Sequence, residues 1–294
     1  AICALGIFIT YSYYGIIQEK LTRRKYGNDQ FTCILSLVLV QCIVNYLYAK
    51  ITAATFLKQG EDTTRTIYYV STSFTYLLAM VFSNWALKWV SYPTQVIGKS
   101  AKPIPVMILG VLFGRKSYAL KKYFFIFLVV VGVALFMYKD NKATGSTSLG
   151  VGEILILASL LMDGLIGAIQ ERMRRESNTK SSHMMININW WSIIYLTVLV
   201  LFTGEYLTFF AFVREHPEVL WELVSFSVAS AIGQFFIFLT VSDFGPLPCS
   251  IITTTRKFFT VLASIVFFGN PMSSRQWLAT GLVFTGLFLD SFFG

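Results

Sequence analysis

Apolar runs of about 20 residues, separated by short polar connectors, fill the whole chain. A helix rises 1.5 Å per residue, so each run matches the roughly 30 Å hydrocarbon thickness of a bilayer. The pattern predicts ten membrane spans, at 1–18, 31–57, 66–90, 92–114, a fifth from about 123 to near 138, then 150–172, 184–206, 219–242, 247–269 and 275–293. The connectors 19–30, 58–65 and 115–122 are charged, while 139–149, rich in Lys, Gly, Ser and Thr, is the expected linker between residues 1–138 and 150–294. The runs are unbroken rather than alternating, which rejects a β-barrel and predicts an all-α polytopic membrane protein.

The fourth run departs from simple hydrophobicity. It reads YPTQVIGKSAKPIPVMILGVLFG, with two lysines and three prolines in a span. At 100° per residue, Gln95, Lys99 and Lys102 fall within about 60° of arc on one helix face. Each lysine in the hydrocarbon costs about 2.5–3.5 kcal/mol and needs a cavity or a partner. The alternative is snorkelling to the interface, but a depth of roughly 10–15 Å strains it. Pro103 and Pro105 donate no backbone bond, so the carbonyls around Lys99 and Ala101 are expected to be free, as where broken helices line a cavity.

Two segments recur across the linker. GIIQEK at 15–20 returns as GAIQER 152 positions later. The fourth span returns in the ninth, 155 positions later, with Pro93 on Pro248, Lys102 on Lys257, Val106 on Val261 and Gly114 on Gly269. Five spans per half is odd, so the halves form inverted repeats, a design of secondary transporters that places the substrate near the midplane. Lys and Arg are shared about equally between alternate connectors, so charge bias leaves the orientation open.

The composition sharpens this picture. Charged residues make up 13% of the 294 residues against about 25% in soluble domains, and net charge is +9. Cys3, Cys33, Cys42 and Cys249 all sit in apolar runs and predict neither a disulfide nor a metal site. His183 and His216 lie in separate connectors, so no zinc site is expected. The Gly110 to Ser117 segment is one residue short of a phosphate loop and lacks a βα unit. DxD, HExxH and GxSxG motifs are absent, so the chain is expected to be a transporter without a cofactor rather than an enzyme, with no nucleic-acid partner. The sequence begins at Ala1 rather than Met, and targeting signals beyond its ends are left open.

The ninth span carries a second polar face of Ser250, Thr253, Lys257, Thr260 and Ser264, with Arg256 at its edge. Facing repeats would set Lys99 and Lys102 opposite Arg256 and Lys257. Uncompensated, four such cations cost on the order of 10 kcal/mol. A multiply charged anion such as nucleotide phosphate is the matching partner, Arg binding oxygens as a fork and Lys as a point charge. The counter-ions available inside the spans are few: Asp163, Glu19, Glu171, Glu153 and Asp290. Gln95, on the stripe with the two lysines, is a further substrate-binding candidate. Tyr11, Tyr13, Tyr14, Asn84, Asn187, Asn189, Ser230 and Gln234 are candidates for reading a base or ribose, with an interfacial belt for the tyrosines and helix–helix hydrogen bonding for the amides as the other readings. Glu19–Lys20 and Glu171–Arg172 form symmetry-related acid–base pairs, either gate salt bridges or plain connector charges.

GIIQEK, SYPTQVIGKSAKPIPVM, SSHMMININWW and CSIITTTRKFFTVLAS together resemble the solute carrier 35 family of nucleotide-sugar transporters, in the drug/metabolite transporter superfamily. The resemblance implies ten helices, cytosolic termini and an endoplasmic-reticulum location. It is strongest to the branch that exchanges ATP for ADP. Where related GDP-sugar carriers have a GALNK-type motif, this chain reads Thr253-Thr254-Thr255-Arg256-Lys257, keeping only the Lys. Their base-reading motif on the seventh span has only approximate counterparts in Asn187 and Asn189. The extra cations favour a polyphosphate, ATP against ADP; a UDP-sugar exchanged for UMP, a nucleotide-using membrane enzyme and a membrane scaffold are the rivals.

Overall fold

The structure is a computed structural model. It describes residues 2–23, 25–26, 29–55, 60–86, 89–90, 95, 98–115, 117–137, 150–267 and 273–293, with side chains for all of these except 18–19, 22–23, 25, 30, 136–137, 257, 259–267, 276 and 291–293. The linker expected at 139–149 lies outside the described residues. The chain forms two compact units, Ala1–Phe74 with Met173–Phe244, and Thr75–Arg172 with Gly245–Gly294.

The first unit holds α1 (Ile2–Arg23), a short antiparallel pair β1 (Lys25–Tyr26) and β2 (Asp29–Gln30), and α2 (Ile34–Thr55). It continues with α7 (Ser181–Thr203), α8 (Glu205–Glu215) and α9 (Val219–Phe244). Helix α2 packs along α7, α1 along α9, and α9 also touches α2 and α7. The core at one end joins Ile17, Leu21, Tyr26 and Phe31 to Val219, Leu223 and Phe226.

Helix α8 stands where a connector was expected. Its eleven residues place Phe209, Phe212 and Val213 on the core while leaving Leu207 and Phe210 exposed, the amphipathic pattern of an interfacial helix. Glu205 in its first turn and Arg214 in its last complement the helix dipole. Gly204 separates it from α7 with φ +71°, a left-handed conformation that glycine adopts without penalty.

A buried acid holds the same end of this unit together. Tyr26 Oη donates to Glu222 Oε2, and Lys20 Nζ lies 3.0 Å from Glu222 Oε1. Leaving a buried polar group poorly paired costs about 1–3 kcal/mol. Glu222→Ala is therefore expected to lower thermal stability by about that much, and Glu222→Gln, which keeps an acceptor, by less; calorimetry in detergent would read both.

The second unit holds α4 (Pro103–Leu112), α5 (Leu120–Met137), α10 (Pro246–Phe267) and α11 (Ser274–Phe293). Most of α3 (Thr66–Ala86) and of α6 (Val151–Ser177) belongs to it as well. Helix α11 packs along α5, with Val129 and Val133 against Ala279 and Val283. Helix α4 packs on α10 and α5 through Val106, Met107, Ile126, Val130, Leu247 and Ile251. Lys122 pairs with Asp290 at 3.2 Å.

Helices α2, α6, α7 and α9 are each long and apolar enough to cross a membrane. Large apolar side chains such as Ile2, Leu120, Phe202 and Trp221 lie exposed, as suits a surface facing lipid.

Candidate functional site

The second unit concentrates the buried charge. Ser159 and Asp163 lie four residues apart and so share one face of α6. Lys99, on the helical residues 98–100, donates to Ser159 Oγ at 2.7 Å and to Asp163 Oδ2. Lys102 Nζ lies 3.1 Å from the other carboxylate oxygen, Oδ1. Asp163 is thus shared by two lysines, one to each oxygen. Ser159 spends its own proton on the Ala79 carbonyl at 2.6 Å, which leaves its lone pair aimed at Lys99.

Close backbone contact brings these groups together. Gly164 and Gly167 of α6 face Pro105, Val106 and Leu109 of α4, and Gly98 faces Ile156. Small residues at membrane helix contacts allow this approach.

Three expectations for this stripe change. The carbonyls of Lys99 and Ala101 are not free: they accept from Lys102 N at 3.3 Å and Ile104 N at 3.0 Å. The chain tightens into i→i+3 bonds where the prolines prevent regular ones. Lys99 and Lys102 are not uncompensated either, because Asp163 neutralises part of their charge. Gln95, expected to face a ligand, is buried and donates to Ser83 O at 2.6 Å and Ser83 Oγ at 3.0 Å, clasping its segment to α3.

On α10, Ser250 is buried and its Oγ has no partner among the described residues. Thr253 donates back to Cys249 O and Ser250 O of its own helix. Arg256 is half-buried, while the side chains of Lys257 and Thr260 lie outside the described residues. Asn84 is exposed on α3. Glu171 is fully buried and Arg172 half-buried.

The remaining candidates belong to the first unit. Asn189 donates to Gln234 Oε1 and to Met185 O, both at 2.7 Å, and accepts from Asn45 at 3.5 Å. These amides tie α2, α7 and α9 together, so Asn189 and Gln234 are engaged with each other rather than standing ready for a base. Asn187 donates to Asp62, which also accepts from Tyr69 Oη at 2.8 Å. Asp62 further lines a cavity of about 570 Å³ with Glu61, Lys180 and His183. Tyr14 Oη reaches Gln41 at 3.4 Å and its ring stacks on Phe226, with Tyr11 edge-on to it.

Lys20, read as half of a gate pair, is held instead by Glu222, and the side chain of Glu19 lies outside the described residues. Sequence reasoning missed Glu222 as the partner of Lys20; the acid inside the apolar run VLWELV was its signal. His216, assigned to an isolated connector, lies within hydrogen-bond distance of Asp29, at 3.3 Å, with Glu215 beside them.

Apolar helices of membrane length, together with a lysine–carboxylate cluster buried among helices, define a polytopic helical membrane protein with an internal polar site. The chain belongs to the UAA transporter family, whose model matches residues 1–293. It is 52% identical to "Solute carrier family 35 member B1" of Rattus norvegicus and of Mus musculus, over 100% of this chain and 93% of each relative. It is likewise 52% identical to the "Solute carrier family 35 member B1 homolog" of Drosophila melanogaster, over 100% of this chain and 90% of that one. A protein of known crystal structure superposes with a TM-score of 0.66, covering 100% of this chain and 99% of its own, at 11% identity, which shows a shared fold alone. The chain is therefore a membrane transporter of the nucleotide-sugar carrier family, and not an enzyme.

Proposed function

We propose that the protein is an antiporter of the endoplasmic-reticulum membrane that exchanges cytosolic ATP for lumenal ADP by alternating access. Ten spans form two inverted five-helix repeats, 1–138 and 150–294, with both termini cytosolic. The nucleotide phosphates sit among Lys99, Lys102, Arg256 and Lys257. One observation carries this reading: two lysines stand at the N-terminal end of α4, Lys102 as its N-cap and Lys99 one turn earlier, and the helix that repeats this stretch in sequence, α10, packs against α4 and bears Arg256-Lys257. A nucleotide triphosphate brings three or four negative charges, which suits so many cations better than the two of a UDP-sugar.

Exchange follows from electrostatics. Burying excess positive charge is costly, so a site without cargo resists occlusion, and phosphate relieves the penalty from either side. A UDP-sugar carrier is the competing reading, favoured by family membership. The two separate in one binding scan of purified protein. ATP and ADP should each raise thermal stability, by about 2.7 kcal/mol at a hundredfold excess over Kd. Labelled ATP should be displaced by ADP but not by excess UDP-galactose; displacement by UDP-galactose would overturn the assignment.

A further inference from the structure

We infer that Asp163 is a resident counter-ion that cargo phosphate must displace from Lys102, while Lys99 keeps hold of it; this rests on the phosphate-site reading above. The two lysines are not equivalent. Lys99 has two partners, Ser159 and Asp163, and its side chain is 19% exposed. Lys102 is 37% exposed and meets the carboxylate through the other oxygen. Ser159, itself fixed by the Ala79 carbonyl, locks Lys99 in place, and Lys99 locks one oxygen of Asp163. The Lys102 contact is the one left to exchange, because Lys102 lacks the second partner that Ser159 gives Lys99, its side chain is the more exposed of the two, and the carboxylate stays neutralised when it leaves.

Asp163 is then a selectivity element, and Lys99 is a positioning residue. The carboxylate offers Lys102 one negative charge at hydrogen-bond distance. A cargo must offer more than that to take its place, so weakly charged anions are excluded and polyphosphates admitted. Removing Asp163 removes the competitor. The affinity for anions then rises and the requirement for high charge relaxes, whereas a residue that served only the fold would lower binding when removed.

The test measures binding of inorganic phosphate, pyrophosphate, tripolyphosphate and ATP to the purified full chain by calorimetry. Asp163→Asn should bind tripolyphosphate roughly tenfold tighter than the wild type and should bind inorganic phosphate measurably. The double variant Lys99→Gln with Asp163→Asn removes one charge of each sign, so it keeps the site's net charge and serves where the single variant does not fold. It too should bind tripolyphosphate more tightly. Wild-type protein that binds polyphosphate, with neither variant binding it more tightly, overturns the role of Asp163 alone. Wild-type protein that binds neither tripolyphosphate nor ATP overturns the phosphate site itself.

Discussion

Lys102→Gln in proteoliposomes is expected to cut ATP-driven ADP counterflow ten- to hundredfold. A hydrogen bond to a charged group contributes about 1.5–3 kcal/mol, and each 1.4 kcal/mol is a factor of ten in affinity. The substitution removes the charge and leaves a polar side chain one atom shorter. Asp163 retains Lys99 as a partner, so the carboxylate is not left unpaired and the fold should persist. The loss would therefore be one of binding, visible as a raised KM for both nucleotides with an unchanged unfolding temperature. Lys102→Arg, which keeps the charge, should retain most of the flux. Lys257→Gln, on the repeat-related helix, should behave like Lys102→Gln. Counterflow at the wild-type rate in a well-folded Lys102→Gln protein would remove the charge argument on which the proposed function stands.

The parts of this molecule that were legible in the sequence are those the bilayer dictates locally. An apolar run of fixed length reads as a helix, and α2, α7 and α9 lie where such runs predict them. Lys99 and Lys102 were visible as a pair because helical spacing alone puts them on one face. Asp163 was visible only as one of five acids inside the spans, and its pairing with the two lysines was not visible. Asp163 lies 64 positions from Lys99, and no periodicity links residues that far apart; only the packing of glycines against α4 brings it there. Glu222 escaped as the partner of Lys20 for the same reason. Helix α8 was overlooked because an eleven-residue amphipathic stretch is too short to register against membrane-length runs. The freed carbonyls failed for a local reason: a proline removes a donor, but the backbone can shorten its turn and find another.

Gly164→Leu is expected to abolish both folding and transport, and Gly164→Ala to cost about 1–3 kcal/mol, the usual range for overpacking a tight contact. A Cβ at this position would lie 2.7 Å from Leu109 Cδ1 and, more tellingly, 2.8 Å from the carbonyl oxygen of Pro105. A side chain can turn aside, but a backbone carbonyl moves only if the helix moves with it. Helix α6 would have to back away from α4, and Asp163 is the residue just before Gly164. Its 3.1 Å contact with Lys102 would lengthen by about the displacement of the helix, so the site would loosen along with the packing. Gly167, whose Cβ would meet Val106 Cγ1 at 2.8 Å, should respond more weakly, since a side chain can yield. Gly15 provides the contrast, with nothing within 4 Å of its Cβ. Gly15→Ala should be neutral or slightly stabilising, because alanine favours a helix by about 1 kcal/mol over glycine. Unfolding temperatures in detergent, measured beside nucleotide counterflow, would rank the three positions. A Gly164→Ala protein as stable and active as the Gly15→Ala one would show that the α4–α6 contact does not hold the lysine–aspartate cluster in place.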